Sequence, residues 1–167
     1  MDDPLPEAPL PEGLEVRPAT CEEHFRAIFQ AENEAFRDHW GHVEATEESY
    51  QRWRTQPLFE PELWKVAWDG AQVAGMVLNF LNRDENAEFN RKRGYTENIS
   101  VRRPYRRRGL ARALLVQSIR MFREMGLEET ALGVDTQNPN QALRLYESVG
   151  YRLVEKHTTV RKPLEEK

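Results

Sequence analysis

Two periods run through the apolar positions of this chain, and the places where one gives way to the other delimit its elements. Leu14-Glu15-Val16-Arg17 alternates like a short strand, and Thr20 with Glu23 reads as a capping box opening a helix that carries Phe25, Ile28, Phe29 and Phe36 and ends before Gly41. A second start at Thr46, with Glu47 and Glu48 at the positive end of the helix dipole, introduces a helix with Tyr50 and Trp53 that stops before Pro57. Trp64, Val66 and Trp68 alternate, Asp69-Gly70 is a hairpin signal, and the apolar run Val73 to Phe80 returns as an antiparallel partner. Gly75 inside that strand implies a bulge or a close backbone approach.

Beyond the polar stretch from Asn82 to Gly94, a third strand places Tyr95, Glu97, Ile99 and Val101 on one face and Thr96, Asn98 and Ser100 on the other. From Arg106 the period becomes helical, with Leu110, Leu114, Ser118, Phe122 and Met125 on one stripe, and Gly126 ends the run. Ala131 to Val134 is a short apolar strand. Asn138 then caps a helix with Pro139 at its first position and Ala142, Leu145, Tyr146 and Val149 on its apolar face, closed by Gly150. Tyr151, Leu153 and the segment Thr158 to Val160 complete the chain as strand. The order predicts a mixed α/β domain over residues 13–163, preceded by a Pro- and acid-rich, mostly disordered lead-in at 1–12 and followed by a tail at 164–167.

Composition narrows the class. The length of 167 residues suits one domain, 39% hydrophobic with 31% charged residues suits a soluble one, and no apolar run approaches the roughly 20 residues of a membrane span. The opening MDDPLPEAPL lacks the basic and apolar regions of a secretory signal, so a cytoplasmic location without membrane contact is the expectation. Cys21, the lone cysteine, rules out an internal disulfide and a cysteine-rich zinc module. The net charge of −4 conceals a division: between Arg91 and Arg123 eleven Lys and Arg face one acid, Glu97, a local +10 against −14 elsewhere. Such a cluster attracts a polyanion. Nucleic acid is disfavoured, because only Tyr95 and Tyr105 interleave the cations and the acidic remainder repels a long polymer.

The stretch VRRPYRRRGLARALL, Val101 to Leu115, ends a strand, passes a basic turn at Gly109 and starts a helix at once. Unpaired N–H groups at a helix start, together with arginines, suit a phosphate. Neither GxxxxGK[ST] nor GxGxxG is present. The alternative is a strand-to-helix turn with a solvated basic face.

Here the chain resembles the GNAT acyltransferases (Gcn5-related N-acetyltransferases). Their acyl-coenzyme A loop, Q/R-x-x-G-x-G/A, is matched by Arg106-Arg107-Arg108-Gly109-Leu110-Ala111, after a strand ending Ile99-Ser100-Val101. Their second motif is matched by Asn138, Ala142, Leu145, Tyr146, Gly150 and Tyr151. Within the family the chain is similar to mycothiol synthase-like acetyltransferase domains, which come in tandem pairs. The resemblance implies a three-layer mixed sheet with helices on both faces and splayed central strands holding the cofactor. It implies acetyl-CoA as co-substrate, bound by the amides of 106–111, the edge of Ile99 to Val101 and Asn138, with Arg102, Arg103 or Arg112 near the remaining phosphate. The acetyl group would pass by direct attack to a primary amine of a small molecule or peptide.

By the same resemblance Tyr146 is the phenol that protonates the leaving sulfur, against the alternative of a core tyrosine. Glu97 is the candidate base, against a structural partner for arginines, with Asp135 in reserve; the family's frequent glutamate position on the next strand is occupied by Gly133. The loop Asp38-His39-Trp40-Gly41-His42 would border the acceptor, and no metal is expected there or elsewhere. The competing function is a catalytically weak acyl-CoA-binding or regulatory domain, half of a tandem pair. The assembly is expected to be a monomer or homodimer.

Overall fold

The computed structural model describes residues 4–37, 45–134 and 142–155. Its elements run β1 (Glu15–Val16), α1 (Glu22–Phe36), α2 (Glu47–Arg54), β2 (Lys65–Asp69), β3 (Gln72–Phe80), α3 (Arg83–Glu88), β4 (Arg93–Val101), α4 (Leu110–Glu124), β5 (Glu129–Ala131) and α5 (Ala142–Glu147). One five-stranded sheet has the order β1-β2-β3-β4-β5, antiparallel except for the parallel β4–β5 pair. One face carries α1, where Ile28 and Ala31 meet Val66, Trp68, Met76 and Leu78; the other carries α4, where Leu110, Leu114 and Leu115 meet Val77, Tyr146 and Val149. This is the expected mixed sheet with helices on both faces.

Local chemistry explains most of the boundaries. Thr46 caps α2 reciprocally with Ser49, and Gly70 turns the β2–β3 hairpin at φ +57°. Gly75 is the close approach: a Cβ there would stand 2.9 Å from the Ser100 carbonyl oxygen and 3.1 Å from Leu110. Ser118 sits on the apolar stripe of α4 because its hydroxyl accepts from Asn79 Nδ2 at 2.9 Å and donates to the Leu114 carbonyl at 2.9 Å, so the buried hydroxyl both accepts and donates.

Several expectations need correction. Thr20 does not cap α1; Cys21 holds that position, and the Thr20 N–H donates instead to His24 Nδ1 at 3.2 Å. The polar stretch after Asn82 contains α3, which buries nothing and is started by the Asn82 side chain accepting from the Glu85 N–H. Met125 lies past the end of α4 and is 45% exposed. The strand expected at Ala131 to Val134 lies earlier, at β5, and 151–155 form no strand. From Pro4 the opening segment has no helix or strand, yet Leu5, Ala8 and Leu10 pack against the α4 cluster. Thr158 to Val160 fall outside the described residues.

The strict alternation along β4 also fails. Ser100 pairs with Met76 but Glu97 with Leu78, so three steps on β4 match two on β3. Asn98, at φ +47°, lies within this bulge. Because directly paired residues share a face, Glu97 and Ser100 fall together on the α1 side, while Val101 stays with Gly75 on the α4 side.

Candidate active site

Residues from five segments surround a cleft of about 710 Å³: the end of α1 (Ala35, Phe36), β4 and the loop after it, the start of α4 (Leu110, Ala111), the segment following β5 (Gly133, Val134), and α5. Of the residues singled out in the sequence, Glu97, Ile99, Ser100, Val101, Arg106, Arg107, Leu110, Ala111 and Tyr146 all line it. The ladder between β4 and β5 ends at Tyr95–Ala131, so beyond that pair the two segments diverge and one edge of β4 faces the cleft.

The loop has the local geometry of an anion site. Arg107 at φ +61° and Gly109 at φ +81° bend the chain into α4, and the first bond of the helix runs from the Ala113 N–H to the Gly109 carbonyl at 3.0 Å. The N–H groups of Leu110, Ala111 and Arg112 thus have no intrahelical acceptor. Gly109 has open space around a would-be Cβ, so its φ alone calls for glycine. The arginines diverge. Arg106 donates to the Val101 carbonyl at 2.9 Å and the Ala35 carbonyl at 3.4 Å. Arg108 turns away to the Glu12 carbonyl at 3.0 Å, and Arg102 pairs with Glu34 at 2.9 Å and donates to the Val73 carbonyl. Arg112 has a buried Nε with no hydrogen-bond partner among the described residues.

Two titratable groups meet at the divergence. Glu97 Oε1 accepts from the Gly133 N–H at 3.2 Å, so this carboxylate reaches from β4 to the segment that follows β5. Burial raises the Glu97 carboxyl above the usual carboxylate range, with the Gly133 bond opposing. Tyr146 is 8% exposed, and no hydrogen bond to its hydroxyl occurs among the described residues. Burial first, then the Glu97 and Tyr151 charges, raise its phenol above the ordinary tyrosine range. Asn138, Asp135 and the loop with His39 and His42 lie outside the described residues. Among the described residues no group of three or more His, Cys, Asp or Glu converges as a metal site.

Sequence reasoning missed the α1 contribution of Ala35 and Phe36. The signal available was position alone: they end the helix that leads to the expected acceptor loop. It also missed Tyr105, which lines the cleft while its hydroxyl donates to Asp69 at 2.9 Å.

Comparison with known proteins agrees with this geometry. The chain is 29% identical over 151 residues to a mycothiol acetyltransferase of Thermomonospora curvata, covering 90% of this chain and 48% of the relative. It is 39% identical over 91 residues to an N-alpha-acetyltransferase of Arabidopsis thaliana, covering 54% of this chain and 45% of that one. The crystal structure of a GCN5-related N-acetyltransferase from Sphaerobacter thermophilus superposes with a TM-score of 0.70 at 30% identity, over 90% of this chain and 44% of that chain. The chain thus spans about half the length of the curated relatives it matches. A profile of the Acetyltransferase (GNAT) family matches residues 25–151, from the first turn of α1 to the tyrosine after α5, and the chain belongs to that family.

Proposed function

We propose that this chain transfers an acetyl group from acetyl-CoA to a primary amine of a small molecule or peptide by direct attack. The observation that carries the reading is the convergence on one cleft of the α4 N-terminus, the free edge of β4, and the Glu97–Tyr146 pair. Acetyl-CoA supplies the thioester carbonyl that the amine attacks. The N–H groups at the start of α4 hold the pyrophosphate, with Arg107 and Arg112 adding positive charge, and the β4 edge offers N–H and C=O groups to an amide-bearing arm. Glu97 takes the proton that the acceptor nitrogen must lose; a carboxyl raised by burial is a stronger base than a solvated one. Tyr146, kept protonated by its raised pKa, gives a proton to the departing sulfur. The relatives include mycothiol acetyltransferases and an N-alpha-acetyltransferase, and the acceptor is accordingly assigned by class only.

The test has two stages. Calorimetry with coenzyme A gives saturable binding at one site, and thiol release over a panel of amines and peptides identifies the acceptor. Absence of coenzyme A binding ends the proposal. A second reading, a catalytically weak acyl-CoA-binding half of a tandem pair, draws on the half-length match; it is favoured by coenzyme A binding with no thiol release across the panel. Tyr146→Phe or Glu97→Gln with unchanged turnover removes that residue from the mechanism.

A further inference from the structure

Thr96 follows the last β4 residue paired with β5, and Thr130 precedes the last β5 residue paired with β4, so the two flank the fork where the strands diverge. The Tyr151 hydroxyl lies 2.6 Å from Thr96 Oγ1 and 3.4 Å from Thr130 Oγ1. Thr96 is fully buried, and its hydroxyl donates to the Ala131 carbonyl at 3.4 Å, which leaves its lone pair to accept from the phenol. One hydroxyl thereby joins a side chain of each strand at the final rung. Tyr151 is aimed there by the end of α5: Gly150 turns left-handed at φ +100°, and the Tyr151 N–H bonds back to the Tyr146 carbonyl at 3.1 Å.

Both proposed catalytic groups are neighbours of this contact. Glu97 follows Thr96 directly and reaches across the opened fork to Gly133, and the Tyr146 ring meets the Tyr151 ring edge-on at 6.2 Å. We propose that Tyr151 is a positioning residue, a pin that fixes where β4 and β5 separate and so holds Glu97, Tyr146 and the free β4 edge in register for an extended, amide-bearing coenzyme arm. The inference rests on reading the cleft as a coenzyme site. Its physical basis is that a buried hydroxyl–hydroxyl bond is costly to leave half-made, so the fork cannot slide along the strands without orphaning Thr96. Leu132 and Val134 have apolar side chains, so the side-chain hydrogen bond across the final rung comes from Tyr151.

The test separates positioning from stability. Tyr151→Phe lowers the urea midpoint, because the buried Thr96 oxygen loses the phenol donor and keeps only the long bond to the Ala131 carbonyl, and weakens coenzyme A binding in calorimetry by about tenfold, the scale of one hydrogen bond to a buried group. The double variant Thr96→Val with Tyr151→Phe removes both hydroxyls and recovers most of the midpoint, while coenzyme A affinity stays low. Wild-type coenzyme A affinity in Tyr151→Phe overturns the proposal, as does affinity that recovers in step with the midpoint in the double variant. If the unsubstituted protein binds no coenzyme A, the coenzyme reading itself has failed and the pin falls with it; if it binds and Tyr151→Phe binds equally, only the pin falls.

Discussion

Arg91, Lys92 and Arg93 lead into β4, and Arg106, Arg107 and Arg108 follow its other end. In the first triplet every cation meets a carboxylate: Arg91 meets Glu85, Lys92 meets Glu128 at 3.0 Å, and Arg93 meets Glu129 at 2.7 Å. In the second, no ion pair to a carboxylate occurs among the described residues. Arg106 and Arg108 donate to main-chain carbonyls, and Arg107 lines the cleft. A guanidinium bonded to a carbonyl keeps its net charge, whereas one bonded to a carboxylate forms a neutral pair. The +10 stretch is therefore neutralised where the strand begins and left positive where α4 adds its own N-terminal field. Counting charge along a chain gives the number of cations, while pairing decides where their field survives.

The largest expected effect falls at the boundary between these ends. Glu97→Gln lowers kcat/KM about a hundredfold, within the usual range for losing an acid–base group. On the proposed mechanism kcat/KM of the unsubstituted protein rises with pH as the raised Glu97 carboxyl loses its proton, above the ordinary carboxylate range, and this limb disappears in the variant. A wild-type limb surviving in Glu97→Gln would place the base elsewhere. Next comes the loop: Gly109→Val forces a β-branched residue to φ +81°, costs on the order of 1–2 kcal/mol in urea unfolding, and weakens coenzyme A at least about tenfold in calorimetry.

The same contrast between satisfied and unsatisfied charge recurs on α1. Glu34 is paired with Arg102, whereas burial pushes the Glu32 carboxyl up to about 7. A folded-state pKa above the unfolded one means that the relative stabilisation is complete below about 4.5 and is lost as pH rises through about 7. Glu32→Gln therefore leaves acid stability near that of the parent and adds on the order of 3 kcal/mol at pH 8, read from paired denaturation curves. The smallest effect tests the two triplets head to head. Arg107→Ala weakens coenzyme A several-fold and flattens its salt dependence, while Lys92→Ala, which breaks an exposed pair, leaves binding unchanged and stability within about 0.5 kcal/mol. Equal effects of the two substitutions would erase the distinction between the ends.

What could be read from the sequence was what local chemistry decides. Thr46, Asp69-Gly70, Gly75 and the turn at Gly109 each carry a backbone requirement that names its own residue type, and the second motif brought Tyr146 to the cleft. The bulge at Asn98 was invisible because a period-two reading assumes an unbroken pleat; only the register against Met76 and Leu78 reveals the extra residue. Helix α3 escaped because it has no buried face to produce a period. The cap of α1 moved from Thr20 to Cys21 through a contact with the His24 ring that a three-residue spacing rule does not contain. The Gly133 partner of Glu97 needed the sheet itself, since 36 positions separate the two.

Arg106 bonds at once to the Val101 carbonyl and to the Ala35 carbonyl, and α1 has no basic residue of its own in its last turn. The carboxyl end of one helix is thus braced by a side chain from the loop that introduces another. A loop transplanted from a relative without an arginine at this position would bring its own anion site and remove that brace, so the loop and the first helix are one unit of inheritance and of engineering, although some seventy residues lie between them.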